Sequence, residues 1–338
     1  MPSTRQRQSP LALSKVAVLT LLLLGVPQCV VDLTDYVSES SPADCKRDLW
    51  CVDLFSGCGS LSSHWRESNF KSASFDVCSN AQHDLTTPLG FMLAIRLVLR
   101  LRPRGLLSLG PPCGSFVWVN LATSLRTLSE PYGDVTKSHV SLGNLLMARA
   151  CILCLIATVR GCFWLLEQPY TSMAKVFPPL RKTVMDIDRY ILPCHWRVFF
   201  WMGSWGHNSM KPSAAWGTMP SIGRLYRRMN KKRRASLCSR GMVRKGINKQ
   251  GKRVVTGGPK LKESAAYPKG YGARLLDLHK PIMVNNGFLK GYLHRAVDNM
   301  LKDGVRVPAN NVWDAADLPS MQQTLRKLAK DDCFHKIR

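Results

Sequence analysis

The chain has 338 residues, 45% of them apolar, so it can bury a sizeable core and is not disordered throughout. Its 48 Lys and Arg against 22 Asp and Glu leave a net charge of +26, which favours a polyanionic partner, nucleic acid first and an anionic membrane surface second. The charge is uneven: residues 211–262 hold 16 Lys and Arg and no acid, leaving +10 to the rest of the chain.

Residues 1–31 carry Arg5, Arg7 and Lys15 with no acid before Asp32, and Val16 to Val26 is an apolar run of 11 residues closed by Pro27. Spanning a bilayer takes roughly 20 apolar residues, so the run is too short to cross but suits the core of a signal peptide. The segment is therefore read as a targeting leader outside the fold.

From Asp48 onward, strands and helices alternate. Leu49 to Phe55 reads as a strand, Leu61 to Glu67 as a short helix and Ser74 to Val77 as a second strand. Apolar residues at helical spacing mark Pro88 to Leu101, and Gly105 to Leu109 is a strand. Leu142 to Val159 is again helical, and Cys162 to Leu166 and Arg197 to Met202 read as strands. Alternation of this kind predicts an α/β fold with a mostly parallel sheet covered on both faces. The expected organisation is a core over 46–205, a basic and partly disordered region over 206–281 and a helical segment over 282–338, including a helix near Leu289 to Leu301.

Twelve cysteines do not form an evident disulfide framework. Cys51, Cys151, Cys154 and Cys162 fall inside apolar elements, where thiols act as small buried hydrophobes. A set made of Cys151, Cys154, Cys162, Cys194 and His195 matches no common zinc spacing, so no metal site is expected.

Two short stretches each follow a strand and carry chemistry. Asp53-Leu-Phe-Ser-Gly-Cys-Gly59 is a glycine-rich turn, in which Gly57 and Gly59 allow a tight reversal and close approach of a ligand. Asp76, 19 residues past Gly57, is placed at the end of the second strand to accept hydrogen bonds from ribose hydroxyls. In Gly110-Pro-Pro-Cys113 two prolines stiffen the backbone before a cysteine, which suits a side chain held still for attack. The reading is of a nucleoside cofactor and a cysteine nucleophile at one sheet edge.

The wording of both motifs resembles the cofactor-binding and nucleophile motifs of DNA (cytosine-5) methyltransferases, over roughly Asp48 to Gly203. The resemblance implies a class I, Rossmann-like methyltransferase fold and S-adenosyl-L-methionine as cofactor. It places Asp53, Phe55, Ser56, Gly57, Cys58 and Gly59 in the cofactor turn, with Pro111 nearby. It puts Asp76 on the ribose and Asp84 on the adenine. Cys113 becomes the nucleophile, Glu167 of Glu167-Gln168-Pro169 the group at the ring nitrogen, and Arg197 the last arginine of a shortened Pro193-Cys-His-Trp-Arg197 element. Asn285-Asn286-Gly287 stands loosely where the family closes its cofactor pocket.

The implied reaction is methyl transfer to carbon 5 of cytosine in DNA, or RNA, through a Cys113 adduct. The basic region would hold the phosphates, with Lys211, Arg227, Arg228, Lys231, Lys232, Arg233 and Arg234 as candidates. Lys231 to Arg234 also reads as a nuclear import signal, and the N-terminal run points instead to secretory or organellar targeting. No stable protein partner is expected. The alternative is a nucleic-acid-binding protein that keeps the fold without the reaction.

Overall fold

The computed structural model describes residues 9–41, 45–191, 196–238, 243–247, 251, 253–257, 265–284, 291–306 and 312–323. The apolar run at 49–54 forms β1 (Leu49–Leu54), which buries Val52 and Leu54 in one core cluster and Cys51 in another. Cover on both faces is why the run lacks the alternation of a half-exposed strand. β2 (Ser72–Phe75), β3 (Leu101–Leu109) and β4 (Phe163–Pro169) join it in parallel, in the order β2-β1-β3-β4. β6 (Pro212–Gly217) pairs antiparallel with β4, and β5 (Trp196–Trp201) pairs antiparallel with β6 at the far edge. The product is an α/β fold with a mixed, mostly parallel six-stranded sheet.

One face is covered by α3 (Ser60–Glu67) and α9 (Lys269–Val284), whose Leu61, Trp65, Tyr271 and Leu275 pack with Cys51, Leu106 and Phe163. The other is covered by α4 (Pro88–Leu99) and α6 (Ser138–Val159). Thr87 caps α4 by accepting from the Gly90 N–H at 3.0 Å, and Pro88 takes the first-turn position where a missing N–H is harmless. α6 is long and apolar enough to cross a membrane, but 89% of its apolar window is buried inside the fold, as befits a core helix. α5 (Leu121–Ser124) and α7 (Pro178–Asp186) are short connectors, and α10 (Tyr292–Lys302) closes the second face.

Two sequence expectations are corrected. From residue 9 onward the N-terminal segment is not outside the fold: it forms α1 (Lys15–Leu23) and α2 (Gln28–Glu39), with Leu21, Leu24, Val30 and Leu33 in the main core, while Arg5 and Arg7 lie outside the described residues. Its apolar run buries itself against α10 and α6, a use of hydrophobicity that composition alone cannot distinguish from targeting. Residue 205 is likewise no boundary, because β6 and α9 from the basic region complete the sheet and cover its face. Within that region α8 (Lys231–Cys238) and a hairpin of β7 (Val243–Ile247) and β8 (Arg253–Gly257) are also regular. The Pro193 to His195 part of the arginine element and Asn285-Asn286-Gly287 lie outside the described residues.

β1 connects through α3 to β2 on one side, and the chain then returns through α4 to β3 on the other side of β1. Strand order therefore reverses between β1 and β3, the place where an open α/β sheet leaves a crevice at its carboxyl edge.

Candidate active site

The strand order lays the carboxyl-edge residues side by side in the sequence Asp76, Phe55, Cys113, Glu167 and, at the start of β6, Lys211. With about 4.8 Å between strands, the β2 and β4 ends lie roughly 14 Å apart. A cavity of about 840 Å³ runs along this edge across the switch point. Phe55, Ser56, Gly57, Cys58, Asp76, Asp84, Pro111, Cys113, Glu167 and Lys211 all line it.

At the end of the cavity near β1 and β2 the β1–α3 turn is set by left-handed backbone at Phe55 (φ 58°), Gly57 (φ 54°) and Gly59 (φ 67°). For a phenylalanine that conformation is strained, and strain of this kind gathers at functional turns. A β-carbon at Gly57 would meet no atom within 4 Å, so the turn leaves an open cradle. Asp76 holds the cradle in shape, its two carboxylate oxygens accepting from the Gly57 and Cys78 N–H groups at 2.8 Å each. Asp84 accepts from the Thr86 N–H at 2.8 Å, one residue before the Thr87 cap, so it lines the cavity without capping α4. His83, which sequence reasoning did not single out, stacks on Phe75 with ring centroids 4.4 Å apart and lines the same end.

At the other end Gly110-Pro-Pro-Cys113 is braced on both sides. Gln168 donates through Nε2 to the Pro111 carbonyl, and Ser172 in turn donates to Gln168 Oε1 at 3.1 Å. Beyond Cys113, the buried Arg126 donates to the Ser115 carbonyl and hydroxyl at 2.9 Å each and to Asn144 Oδ1 at 2.8 Å, while its guanidinium lies 3.8 Å from the Phe116 ring centre. These contacts fix the loop that presents the thiol.

The thiol itself is not pre-ionised. Burial pushes its pKa up, the Glu167 carboxylate pushes it further, and Lys211 opposes them. Glu167 is buried and accepts from the Tyr267 hydroxyl at 2.9 Å through Oε2, while Oε1 has no partner among the described residues. Tyr267 is fixed in turn: Ser60 donates to its carbonyl at 2.8 Å, Lys211 Nζ lies 5.2 Å from its ring centre, and a β-carbon at Gly110 would meet its hydroxyl at 2.4 Å. Tyr267 carries no distinguishing mark in the sequence, because it lies in the region expected to be basic and partly disordered, and Lys211 is expected there only as a phosphate contact.

Three expected site residues lie elsewhere. Asp53 does not line the cavity; it is buried beneath α3 near Ser62, and desolvation pushes its carboxyl up to about 7. Gly59 shapes the turn and caps α3 from behind the cradle. Arg197 projects from the outer strand β5 with its guanidinium 5.5 and 5.3 Å from the Tyr170 and Trp216 ring centres, so it is exposed and holds an aromatic surface instead.

A second, open groove of about 830 Å³ between Tyr132, Leu145 and Val312 is mainly apolar. Among the described residues no cluster of His, Cys, Asp and Glu could hold a metal ion, and Cys51, Cys151, Cys154 and Cys162 are buried free thiols.

Neither protein-family models nor curated proteins provide a match to this chain.

Proposed function

We propose that the chain is an S-adenosyl-L-methionine-dependent methyltransferase acting on carbon 5 of cytosine in nucleic acid, through a covalent adduct to Cys113. The observation that carries this reading is the single cavity at the switch point, which joins the Phe55 to Cys58 cradle and Asp76 to the braced pair Cys113 and Glu167. The resemblance of the two motifs to cytosine-5 methyltransferases supplies the chemistry.

The residues present suit such a cofactor. Gly57 opens on free space, and the buried Ser56 hydroxyl has no partner among the described residues, while Asp76 and Asp84 stand at the end where ribose and adenine would lie. When bound, S-adenosyl-L-methionine supplies an electrophilic methyl group. The chain's own residues then have separate tasks. Cys113 as thiolate adds to carbon 6 of the ring, and the electron pair displaced toward nitrogen 3 is met by a proton held on Glu167. Carbon 5 becomes enamine-like and nucleophilic; after methylation it gives its proton to water, the sulfur–carbon bond breaks to restore the thiolate, and nitrogen 3 returns its proton to Glu167. A base inside a duplex cannot reach this cavity, so it must enter extrahelical or from a single strand.

A specific observation also supports the reading without catalysis: Arg197 lies outside the cavity, and burial and Glu167 push the Cys113 thiol up. Tritiated cofactor with DNA and RNA separates the two. The enzyme reading expects label transfer that Cys113→Ala abolishes, and a denaturation-stable adduct with 5-fluorocytosine, whose fluorine cannot leave as a proton does. Salt-sensitive binding with no transfer to either polymer, and no adduct, would establish the rival.

A further inference from the structure

The densest basic stretch, residues 224–234, is largely exposed but anchored to the fold. Leu225 is buried, its carbonyl accepts from Trp205 Nε1 at 3.2 Å, and the Arg227 carbonyl accepts from the Ser204 hydroxyl at 3.1 Å. Tyr226 lies between these two anchors and is 57% exposed. Arg227 and Arg274 sit 5.4 and 5.5 Å from the Trp205 ring centre, which fixes two guanidinium groups at the surface. Asn230 caps α8 by accepting from the Arg233 N–H at 2.7 Å, and Arg233 donates to the His207 carbonyl at 3.0 Å.

This scaffold forms a groove of about 580 Å³ whose walls include Trp201, Tyr226, Arg228, Asn230, Lys231 and Arg234, with no acid among its lining residues. Among the described residues none of the cations at 224–234 has a carboxylate partner. The groove opens at the carboxyl end of β5, the same sheet edge as the cavity. Adjacent residues join the two sites: Met210 lines the groove and Lys211 the cavity.

We infer that this groove binds single-stranded nucleic acid, with one base stacked on Tyr226, phosphates on Arg228, Lys231 and Arg234, and the strand led past Met210 toward Cys113. Cations without acids account for the phosphates, whereas an anchored aromatic with an exposed ring among them is the signature of base stacking. A duplex presents phosphates but no ring face, so it can use only half of this surface. The inference deepens the nucleic-acid reading above and rests on it only for the base delivered to Cys113.

The test uses the full chain and fluorescent oligonucleotides of matched length: single-stranded DNA, single-stranded RNA and duplex DNA. Tyr226→Ala is expected to weaken binding of single strands by roughly 5- to 150-fold, the loss of one stacked base, with duplex binding changed by less than about twofold. Tyr226→Phe restores the affinity, since the ring and not the hydroxyl carries the contact. Lys231→Gln with Arg234→Gln lowers the salt dependence for single strands and duplex alike. Whichever single strand binds tighter identifies the sugar preferred. Equal loss on single strands and duplex with Tyr226→Ala, no loss on either, or tighter binding to anionic phospholipid vesicles than to any oligonucleotide overturns the inference. Absent methyl transfer with Tyr226-dependent binding intact removes the proposed activity and leaves the groove; methyl transfer without Tyr226 dependence removes the groove alone.

Discussion

Cys113 stands between one charge that suppresses its ionisation and one that promotes it, which makes its reactivity a direct readout of the site. Glu167→Gln removes the carboxylate and is expected to lower the thiol pKa, so alkylation of Cys113 by iodoacetamide near pH 8 quickens, by roughly three- to fourfold for each unit of pKa once the lower nucleophilicity of a less basic thiolate is counted. Lys211→Met removes the opposing cation and slows it. Peptide mass spectrometry distinguishes Cys113 from the exposed Cys58 and Cys78; an unchanged rate in Glu167→Gln would show that the carboxylate does not act on the thiol. This site was legible in part. Gly57, Asp76 and Cys113 are legible from short motifs after strands, whereas Phe55 and Glu167 are reached only through the resemblance of those motifs to cytosine-5 methyltransferases. Tyr267 and Lys211 were not legible as partners, since they reach Glu167 and the thiol from residues far along the chain. Arg197 was misplaced for a local reason: it lies on the outermost strand, where its guanidinium meets Tyr170 and Trp216 away from the cavity.

At the scale of elements, the N-terminal helices make the sharpest claim. Leu21 in α1 is fully buried, and the segment before α1 is tied down where Arg160 donates to the Ala12 carbonyl at 2.8 Å and to the Leu99 carbonyl at 2.9 Å. Leu21→Ala is therefore expected to destabilise the fold by about 2–5 kcal/mol in urea unfolding, while Lys15→Ala at an exposed position stays within about 0.5 kcal/mol. Equal midpoints for both variants would return α1 to the status of a detached leader. The parallel strands were read to within a few residues because their apolar runs are continuous, as burial on both faces requires. β6 escaped notice since Pro212-Ser-Ala-Ala-Trp-Gly217 is short on branched residues and opens with proline. Only its pairing with β4 and β5 makes it a strand. The Ser74 to Val77 reading ran two residues late, because Asp76 and Val77 belong to the turn that presents the carboxylate.

Across the whole molecule, two buried groups with opposite titrations shape how stability responds to pH. Asp53 is raised in the folded chain from an ordinary 3.8 to about 7 by desolvation, with Asp76 adding to the shift and Ser62 and Arg66 opposing it. Between those pH values the folded state keeps a proton that the unfolded state has released. Its contribution is therefore fully present below pH 3.8 and is lost as pH rises through 7, on the order of 4 kcal/mol. His279 behaves in the reverse sense. Packed against Trp65 and hydrogen-bonded to the Arg104 carbonyl at 2.8 Å, it is lowered by burial from 6.5 to about 4. Its contribution is present above pH 6.5 and is lost as pH falls toward 4, about 3 kcal/mol. The two slopes oppose each other across the acid range and flatten the profile there. Asp53→Asn removes one of them, so the variant is expected to be more stable than the parent near pH 7.5 and to lose stability more steeply on acidification toward pH 4.5. Urea midpoints measured across that range decide the matter: a profile parallel to the parent's would mean that Asp53 is already ionised in the folded chain, and the carboxyl beneath the β1–α3 turn would then need a partner that burial there does not provide.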